Sequence, residues 1–104
     1  MLLKTDGNCT YCGKKLDPKE YGACLSVPTA DGAWEVDHWI PKSSFKKAAD
    51  AEAFENLWPA CCGCNDEKGA TTGEAYIAKR KADGLPTNAG TSVLKRYLER
   101  TKEP

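Results

Sequence analysis

Two pairs of cysteines have the spacing of metal ligands. Cys9 and Cys12 lie in the stretch CTYCG, and Cys61 and Cys64 lie in CCGC, each pair in a Cys-x-x-Cys arrangement. A tight turn after the first cysteine lets both sulfurs of a pair reach one ion, and two pairs complete the tetrahedral set that zinc prefers. We therefore predict one structural zinc site. The alternatives are two disulfides or a redox-active pair, which need thiol chemistry and no bound zinc.

The remaining cysteines and the long segment between the pairs need separate explanations. The chain has six cysteines, so Cys24 and Cys62 are left over. In a protein that keeps its thiols reduced, Cys24 is most simply a buried apolar residue. Cys62 could replace Cys61 as a ligand, although Cys-x-Cys is the less usual spacing. Residues 13–60 are too many for a plain zinc ribbon, so we expect folded structure between the pairs.

A second group of polar residues lies between and after the cysteine pairs. The only histidine, His38, follows Asp37 directly in AWEVDHWIP, a run typical of a buried strand. Asn56 and Asn65 flank the strand and the second cysteine pair in ENLWPACCGCN. Each residue has a structural interpretation when taken alone. His38 could be a satisfied strand-end histidine, Asp37 a solvated charge, Asn56 a turn residue and Asn65 a helix N-cap.

The order of apolar and turn residues predicts the elements that position these groups. Strands are predicted over 23–27, 33–39 and 56–60, and helices over 62–68, 71–83 and 92–100, with a short helix within 43–55. Alternation along the strand over 33–39 puts Asp37 and His38 on opposite faces. A capping-box pattern from Thr71 to Glu74 opens one helix, and Gly84 is expected to end it.

Taken together, these segments resemble the HNH (ββα-metal) endonuclease family, in its four-cysteine zinc-containing form. The resemblance rests on CTYCG at 9–13, EVDHWIPKS at 35–43, ENLWPACCGCN at 55–65 and the trailing Lys68-Gly69. The combination is specific because the cysteines, the acid–histidine pair, the Asn-Leu and the Cys-Asn occur in the family's order. It implies a small α+β fold, in which a four-cysteine zinc site staples a ββα-metal (His-Me finger) core with additional C-terminal helices.

The resemblance also implies roles for the polar residues. Hydrolysis of a phosphodiester needs a base for the attacking water and a cation for the charge that grows on the phosphate. By resemblance, His38 is the general base, and Asp37 and Asn65 hold one catalytic Mg²⁺ or Mn²⁺. Asn56 would orient the His38 imidazole, by a hydrogen bond to the ring or by closing the loop between the strands. Asparagine at position 65, where the family often has histidine, gives a His-Asn-Asn triad and favours a hard metal.

Charge limits the nucleic-acid partner. The chain has 15 basic and 15 acidic residues and zero formal net charge, so DNA contact must come from local patches. The candidate contacts are Lys42, Lys46, Lys47, Lys68, Lys79, Arg80 and Lys81, followed by Lys95, Arg96, Arg100 and Lys102 on the last predicted helix. Each could equally be solvated. With no separate recognition module, we expect low sequence specificity on duplex DNA unless a homodimer or a protein partner adds to it.

Length and hydropathy complete the expectations. The 104 residues suit one domain over 1–104, with its core at about 9–69 and C-terminal helices at about 71–103. No apolar run could span a membrane and no signal peptide is visible, so we expect a cytoplasmic protein of a bacterial or phage-infected cell. The expected activity is metal-dependent nicking or double-strand cleavage of DNA, which leaves 5′-phosphate and 3′-hydroxyl ends. The alternative is a non-catalytic, zinc-stapled module that binds nucleic acid or protein.

Overall fold

The computed structural model describes residues 2–26 and 30–88 of the chain. Within these ranges the strands and helices are β1 (Trp34–His38), α1 (Ala48–Ala51), β2 (Leu57–Cys61), α2 (Cys62–Lys68) and α3 (Gly73–Ala82). Short 3₁₀ helices cover Leu2–Thr5, Pro18–Glu20, Ala23–Leu25, Lys42–Ser44 and Phe54–Asn56. The helix predicted over 92–100, with its basic residues, lies outside the described residues. None of the described helices is both long and apolar enough to cross a membrane.

β1 and β2, which correspond to two of the predicted strands, pair as an antiparallel hairpin. Trp34 lies opposite Cys61 at one end of the hairpin, and His38 lies opposite Leu57 at the other. The second cysteine pair and the acid–histidine pair are therefore held at opposite ends of the same two strands. Because α2 follows β2 without a loop, the hairpin and the helix together form a ββα unit. The predicted α+β fold class is confirmed.

Buried aromatic rings join the hairpin to the rest of the chain. Tyr11 stacks on Trp39 with ring centroids 5.9 Å apart and meets Tyr76 of α3 edge-on at 5.3 Å. Trp39 in turn contacts Trp58 of β2, at 6.1 Å between centroids. Such pairs add about 0.5–1.5 kcal/mol each beyond the area that they bury. Trp34, Trp39 and Trp58 are all buried, so the tryptophans pack the core.

α3 begins one residue later than the capping-box pattern indicates. Its N-cap is Thr72, whose hydroxyl accepts a hydrogen bond from the Ala75 N–H at 3.1 Å. Gly73 is the first helical residue, and its N–H donates to the Trp39 carbonyl at 2.8 Å. The indole ring of Trp39 occupies the space that a Cβ at position 73 would need. This close approach between α3 and the chain after β1 explains the shift.

Gly73→Ala is expected to lower the free energy of unfolding by about 1–3 kcal/mol, because the added methyl group forces the Trp39 ring to move. Urea denaturation followed by tryptophan fluorescence measures the change. Gly63→Ala is the matched control, since a Cβ there meets no atom within 4 Å. An alanine in α2 should be neutral or slightly stabilising. Equal stability of the two variants would show that Trp39 yields at no cost.

The segment before β1 differs from the predicted strand over 23–27. Gly22 adopts φ +83° and turns the chain, and a 3₁₀ helix follows over Ala23–Leu25. We expected Cys24 to be a lone buried residue, but it forms a disulfide with Cys62 at the start of α2. The Cα atoms of the two cysteines are 5.4 Å apart. The disulfide to α2 and a hydrogen bond from the Gly22 N–H to the Trp34 carbonyl of β1, 2.9 Å, therefore hold this segment.

Candidate metal centre and active-site cleft

The two cysteine pairs converge on one point at the Trp34–Cys61 end of the hairpin. We call the turn that carries Cys9 and Cys12 the first knuckle. The first knuckle is shaped by hydrogen bonds from the Cys9 N–H to the Lys14 carbonyl, 2.7 Å, and from the Gly13 N–H to the Cys9 carbonyl, 3.0 Å. All four are free thiols whose sulfurs lie within 4.8 Å of one another. Zinc–sulfur bonds of about 2.3 Å in a tetrahedron separate the sulfurs by about 3.8 Å. The Cys12 and Cys61 sulfurs are 3.7 Å apart.

Backbone and side-chain groups around the cluster suit thiolate ligands. The Cys61 N–H points at the Cys9 sulfur at 3.3 Å, and the Lys14 N–H at the Cys12 sulfur at 3.4 Å. The hydrogen bond with Cys12 lowers the pKa of Cys61, whereas the hydrogen bond with Cys12 raises the pKa of Cys64. A bound dication would offset half of the charge of four thiolates and favour the thiolate form of each cysteine. The donor set and its burial fit a closed, structural zinc site.

At the other end of the hairpin, Asp37 is buried against a hydroxyl group and an ammonium group. The Tyr11 hydroxyl donates to Asp37 Oδ2 at 2.5 Å, and Lys68 Nζ lies 3.1 Å from the same oxygen. Lys68 also donates to the His38 carbonyl at 2.8 Å. Burial, followed by the charge of Asp37, raises the pKa of Tyr11, so its hydroxyl stays protonated and keeps donating. A buried carboxylate is thus paired and hydrogen-bonded, as its burial requires.

The His38 imidazole contacts a carboxylate from the loop between the strands. His38 Nε2 lies 2.9 Å from Oε1 of Glu52, and Lys42 Nζ lies 3.4 Å from the same oxygen. The hydrogen bond with His38 lowers the pKa of Glu52, so this carboxyl group is ionised at neutral pH. Because a carboxylate only accepts hydrogen bonds, Nε2 must carry the proton in this contact. Nδ1 of the neutral ring then keeps its lone pair.

Asn56 closes the loop between the strands, which is one of the two roles predicted for it. Its Oδ1 accepts from the Ile40 N–H at 2.8 Å, and its Nδ2 donates to the carbonyls of Ile40 and Ala51, each at 3.0 Å. The Trp39 N–H donates to the Asn56 carbonyl at 2.8 Å. The His38 ring does not bond to Asn56; its Nε2–H donates instead to Glu52, which immediately follows Ala51.

Asp37 and His38 face one surface cleft, although neighbouring residues of a strand point to opposite faces. The cleft is lined by Asp37, His38, Pro41, Lys42, Ser43, Lys68, Gly69 and Ala70. Asn65 lies on α2 one turn before Lys68, is half-buried, and is absent from this lining. A carboxylate that faces a solvent-filled cleft suits a hard cation such as Mg²⁺, and the lysine beside it already neutralises part of its charge.

The candidate DNA contacts fall into two groups. Lys42, Lys46, Lys47, Lys79 and Lys81 are exposed. Lys68 is buried, with its ammonium group held internally as described above. Arg80 is also engaged within the protein, because its Nε donates to the Pro86 carbonyl at 3.0 Å and its Nη1 to the Tyr76 hydroxyl at 3.3 Å. Among the candidates in the described ranges, the exposed lysines are therefore the ones that can meet a phosphate backbone.

Tyr11 and Glu52 belong to the site but were not singled out in the sequence. Tyr11 stands between Cys9 and Cys12 in CTYCG, where the spacing draws attention to the cysteines rather than to the residue between them. Glu52 lies in an alanine-rich, charged stretch with several acidic neighbours and nothing to distinguish it. Its contact with His38 becomes visible only once Asn56 has folded the loop back on β1.

Comparison with protein-family models matches residues 9–71 to the HNH endonuclease family. The matched range contains both cysteine pairs and the residues of the cleft and its supporting contacts. Comparisons with curated proteins and with solved structures gave no match.

Proposed function

The chain belongs to the HNH endonuclease family, and on that premise we propose that it is a divalent-metal-dependent endonuclease that hydrolyses DNA phosphodiester bonds. The observation that carries the proposal is that Asp37 and His38 both line one cleft, at the far end of the hairpin from the cysteine cluster. A base and a hard-metal ligand thereby face the same volume. Family membership supports a nuclease function and a nucleic-acid substrate; the catalytic details below are our proposal.

His38 is proposed as the general base. Its Nδ1 takes a proton from a water molecule, the water oxygen bonds to phosphorus, and the bond from phosphorus to the 3′-oxygen breaks. The leaving oxygen takes up a proton, so the products carry a 5′-phosphate and a 3′-hydroxyl. Asp37 would hold one Mg²⁺ or Mn²⁺ in the cleft, which when bound neutralises charge on the phosphate. Asn65 of α2, the second ligand that the resemblance implies, does not line the cleft and stays a prediction. Asn56 and Tyr11 position His38 and Asp37, respectively, through the hydrogen bonds described above.

The cysteine cluster is proposed to hold a structural zinc ion away from the chemistry. Four sulfur ligands leave no open coordination position for water or substrate, unlike a catalytic zinc site. The exposed lysines Lys42, Lys46 and Lys47 follow the catalytic strand, and Lys79 and Lys81 lie on α3. They are proposed to position the DNA backbone, and such contacts carry little sequence information.

His38→Ala is expected to lower the rate of plasmid nicking by about 10²–10⁴-fold, the usual contribution of a general base. Supercoiled plasmid is incubated with wild type or variant in Mg²⁺ or Mn²⁺, and with a chelator. Wild type should give nicked or linear DNA only with the metal. The same assay on an RNA transcript identifies the preferred nucleic acid. Equal cleavage by the variant, prepared in parallel, would reject His38 as the base.

A non-catalytic binding module is the second candidate. It is favoured by the Lys68–Asp37 ion pair, since this aspartate already has a cation beside it. Under this alternative, the zinc-loaded protein shifts DNA in a gel and does not cleave it, whichever divalent metal is added. Metal-dependent cleavage that is lost with His38→Ala would reject the alternative.

A further inference from the structure

We propose that Glu52 is a positioning residue for His38 and that these two residues form a carboxylate–histidine pair. Asn56 holds Glu52 in place through the loop. This inference rests on the proposed role of His38 as the base. The direct observation is the 2.9 Å contact between His38 Nε2 and Glu52 Oε1. A carboxylate that accepts from Nε2–H fixes the plane of the ring and leaves Nδ1 with the lone pair that a base needs.

The position of Glu52 is itself fixed by the loop. Glu52 caps the C-terminus of α1, and its N–H donates to the Ala49 and Asp50 carbonyls. Asn56 Nδ2 donates to the carbonyl of the preceding residue, Ala51, which is fully buried. Asn56 is therefore predicted to act on the histidine indirectly. Its hydrogen bond fixes Ala51, and the position of Ala51 fixes the next residue, Glu52, beside the imidazole.

Lys42 supports the carboxylate from the solvent side. Its Nζ lies 3.4 Å from the Glu52 oxygen that contacts His38, and Lys42 also lines the cleft. Exposed ion pairs contribute little to stability, and the Glu52 side chain is 51% exposed. The effect of Glu52 should therefore appear in the chemistry and in the state of the ring, and only slightly in folding.

The activity test compares Glu52→Ala with Glu55→Ala, a matched exposed glutamate of the same loop. Glu52→Ala should lower kcat by about 10- to 100-fold, the usual effect of losing a group that orients a catalytic histidine. The Kd for plasmid DNA in the presence of chelator, measured by gel shift, should not change. Glu55→Ala should match wild type in both. Unchanged kcat for Glu52→Ala, in a protein that loses activity with His38→Ala, would overturn the inference and leave the proposed function intact.

A spectroscopic test needs no activity, because His38 is the only histidine in the chain. In ¹⁵N-labelled protein at about pH 8, where imidazole is ordinarily neutral, wild type should show a downfield Nε2–H proton resonance from the hydrogen bond to Glu52. The resonance should persist in Glu55→Ala and disappear in Glu52→Ala. Its absence from wild type, or its persistence in Glu52→Ala, would show that the carboxylate does not hold the ring.

Discussion

Removal of the metal from the cysteine cluster is expected to unfold the protein. The apparent free energy of structural zinc binding in small domains is about 10–16 kcal/mol, whereas a whole domain is stable by only about 5–15 kcal/mol. The cluster joins the first knuckle to the junction of β2 and α2, so its loss separates the N-terminal segment from the ββα unit. Far-UV circular dichroism during titration with a strong chelator measures the effect, and metal analysis should find one zinc per chain.

Cys64→Ser tests the same prediction without a chelator and should abolish cooperative thermal unfolding. The matched control is the double variant Cys24→Ser/Cys62→Ser, which removes the Cys24–Cys62 disulfide and keeps all four cysteines of the cluster. This variant should lose about 2–4 kcal/mol of unfolding free energy, because its unfolded chain is no longer restricted by the cross-link, and it should retain its zinc. A chelated protein that kept its spectrum and its melting transition would show that the aromatic core alone holds the fold.

Lys68→Met is expected to cost about 3–5 kcal/mol of unfolding free energy, the usual effect of leaving a buried charge without its partner. The side chains of Lys68 and Asp37 are only 1% and 9% exposed, so water cannot take over the role of the ammonium group. The His38 carbonyl loses its donor in the same substitution. Urea denaturation measures the change, with Lys46→Met, an exposed lysine, as the control near zero.

The double variant Asp37→Asn/Lys68→Met separates loss of a partner from loss of packing. With the carboxylate neutralised, the buried pair is absent from both sides, and replacing a buried ion pair by uncharged groups is often close to neutral. The double variant should therefore be more stable than Lys68→Met alone. If it were less stable by the sum of the two single effects, the Lys68–Asp37 contact would carry no coupling energy.

The sequence predicted the two strands of the hairpin, α2 and the cysteine cluster, because these depend on local periodicity and on ligand spacing. It could not predict the direction of Lys68. Three residues after Asn65, this lysine was interpreted as a solvated residue or a phosphate contact. The packing of α2 on the hairpin instead turns it inward onto Asp37. Only the tertiary arrangement decides which face of a short, polar helix is buried, since its sequence has no apolar stripe.

The sequence also could not predict the Cys24–Cys62 disulfide or the conformation of the loop between the strands. Spacing alone does not determine which cysteines pair, and the contact between Cys24 and Cys62 joins residues 38 positions apart. In place of the strand expected over 23–27, a 3₁₀ helix over Ala23–Leu25 follows Gly22, whose left-handed conformation cannot be seen in the alternation of side chains; residue 27 lies outside the described residues. Glu52 reaches His38 through the loop closure by Asn56, a relation between distant residues that no short motif records.

Cys64 and Lys68 both lie on α2. The rotation of this helix about its axis therefore determines both the place of Cys64 in the cysteine cluster and the direction of Lys68 at the other end of the hairpin. The two residues are four apart and both buried, so they lie on the same face of the helix, one turn from each other. Each residue advances an α-helix by about 100°. A single residue inserted between Cys64 and Lys68 would leave the four cysteines in register and turn the ammonium group away from Asp37. The cysteine cluster thus fixes the rotation of α2 that directs Lys68 at Asp37.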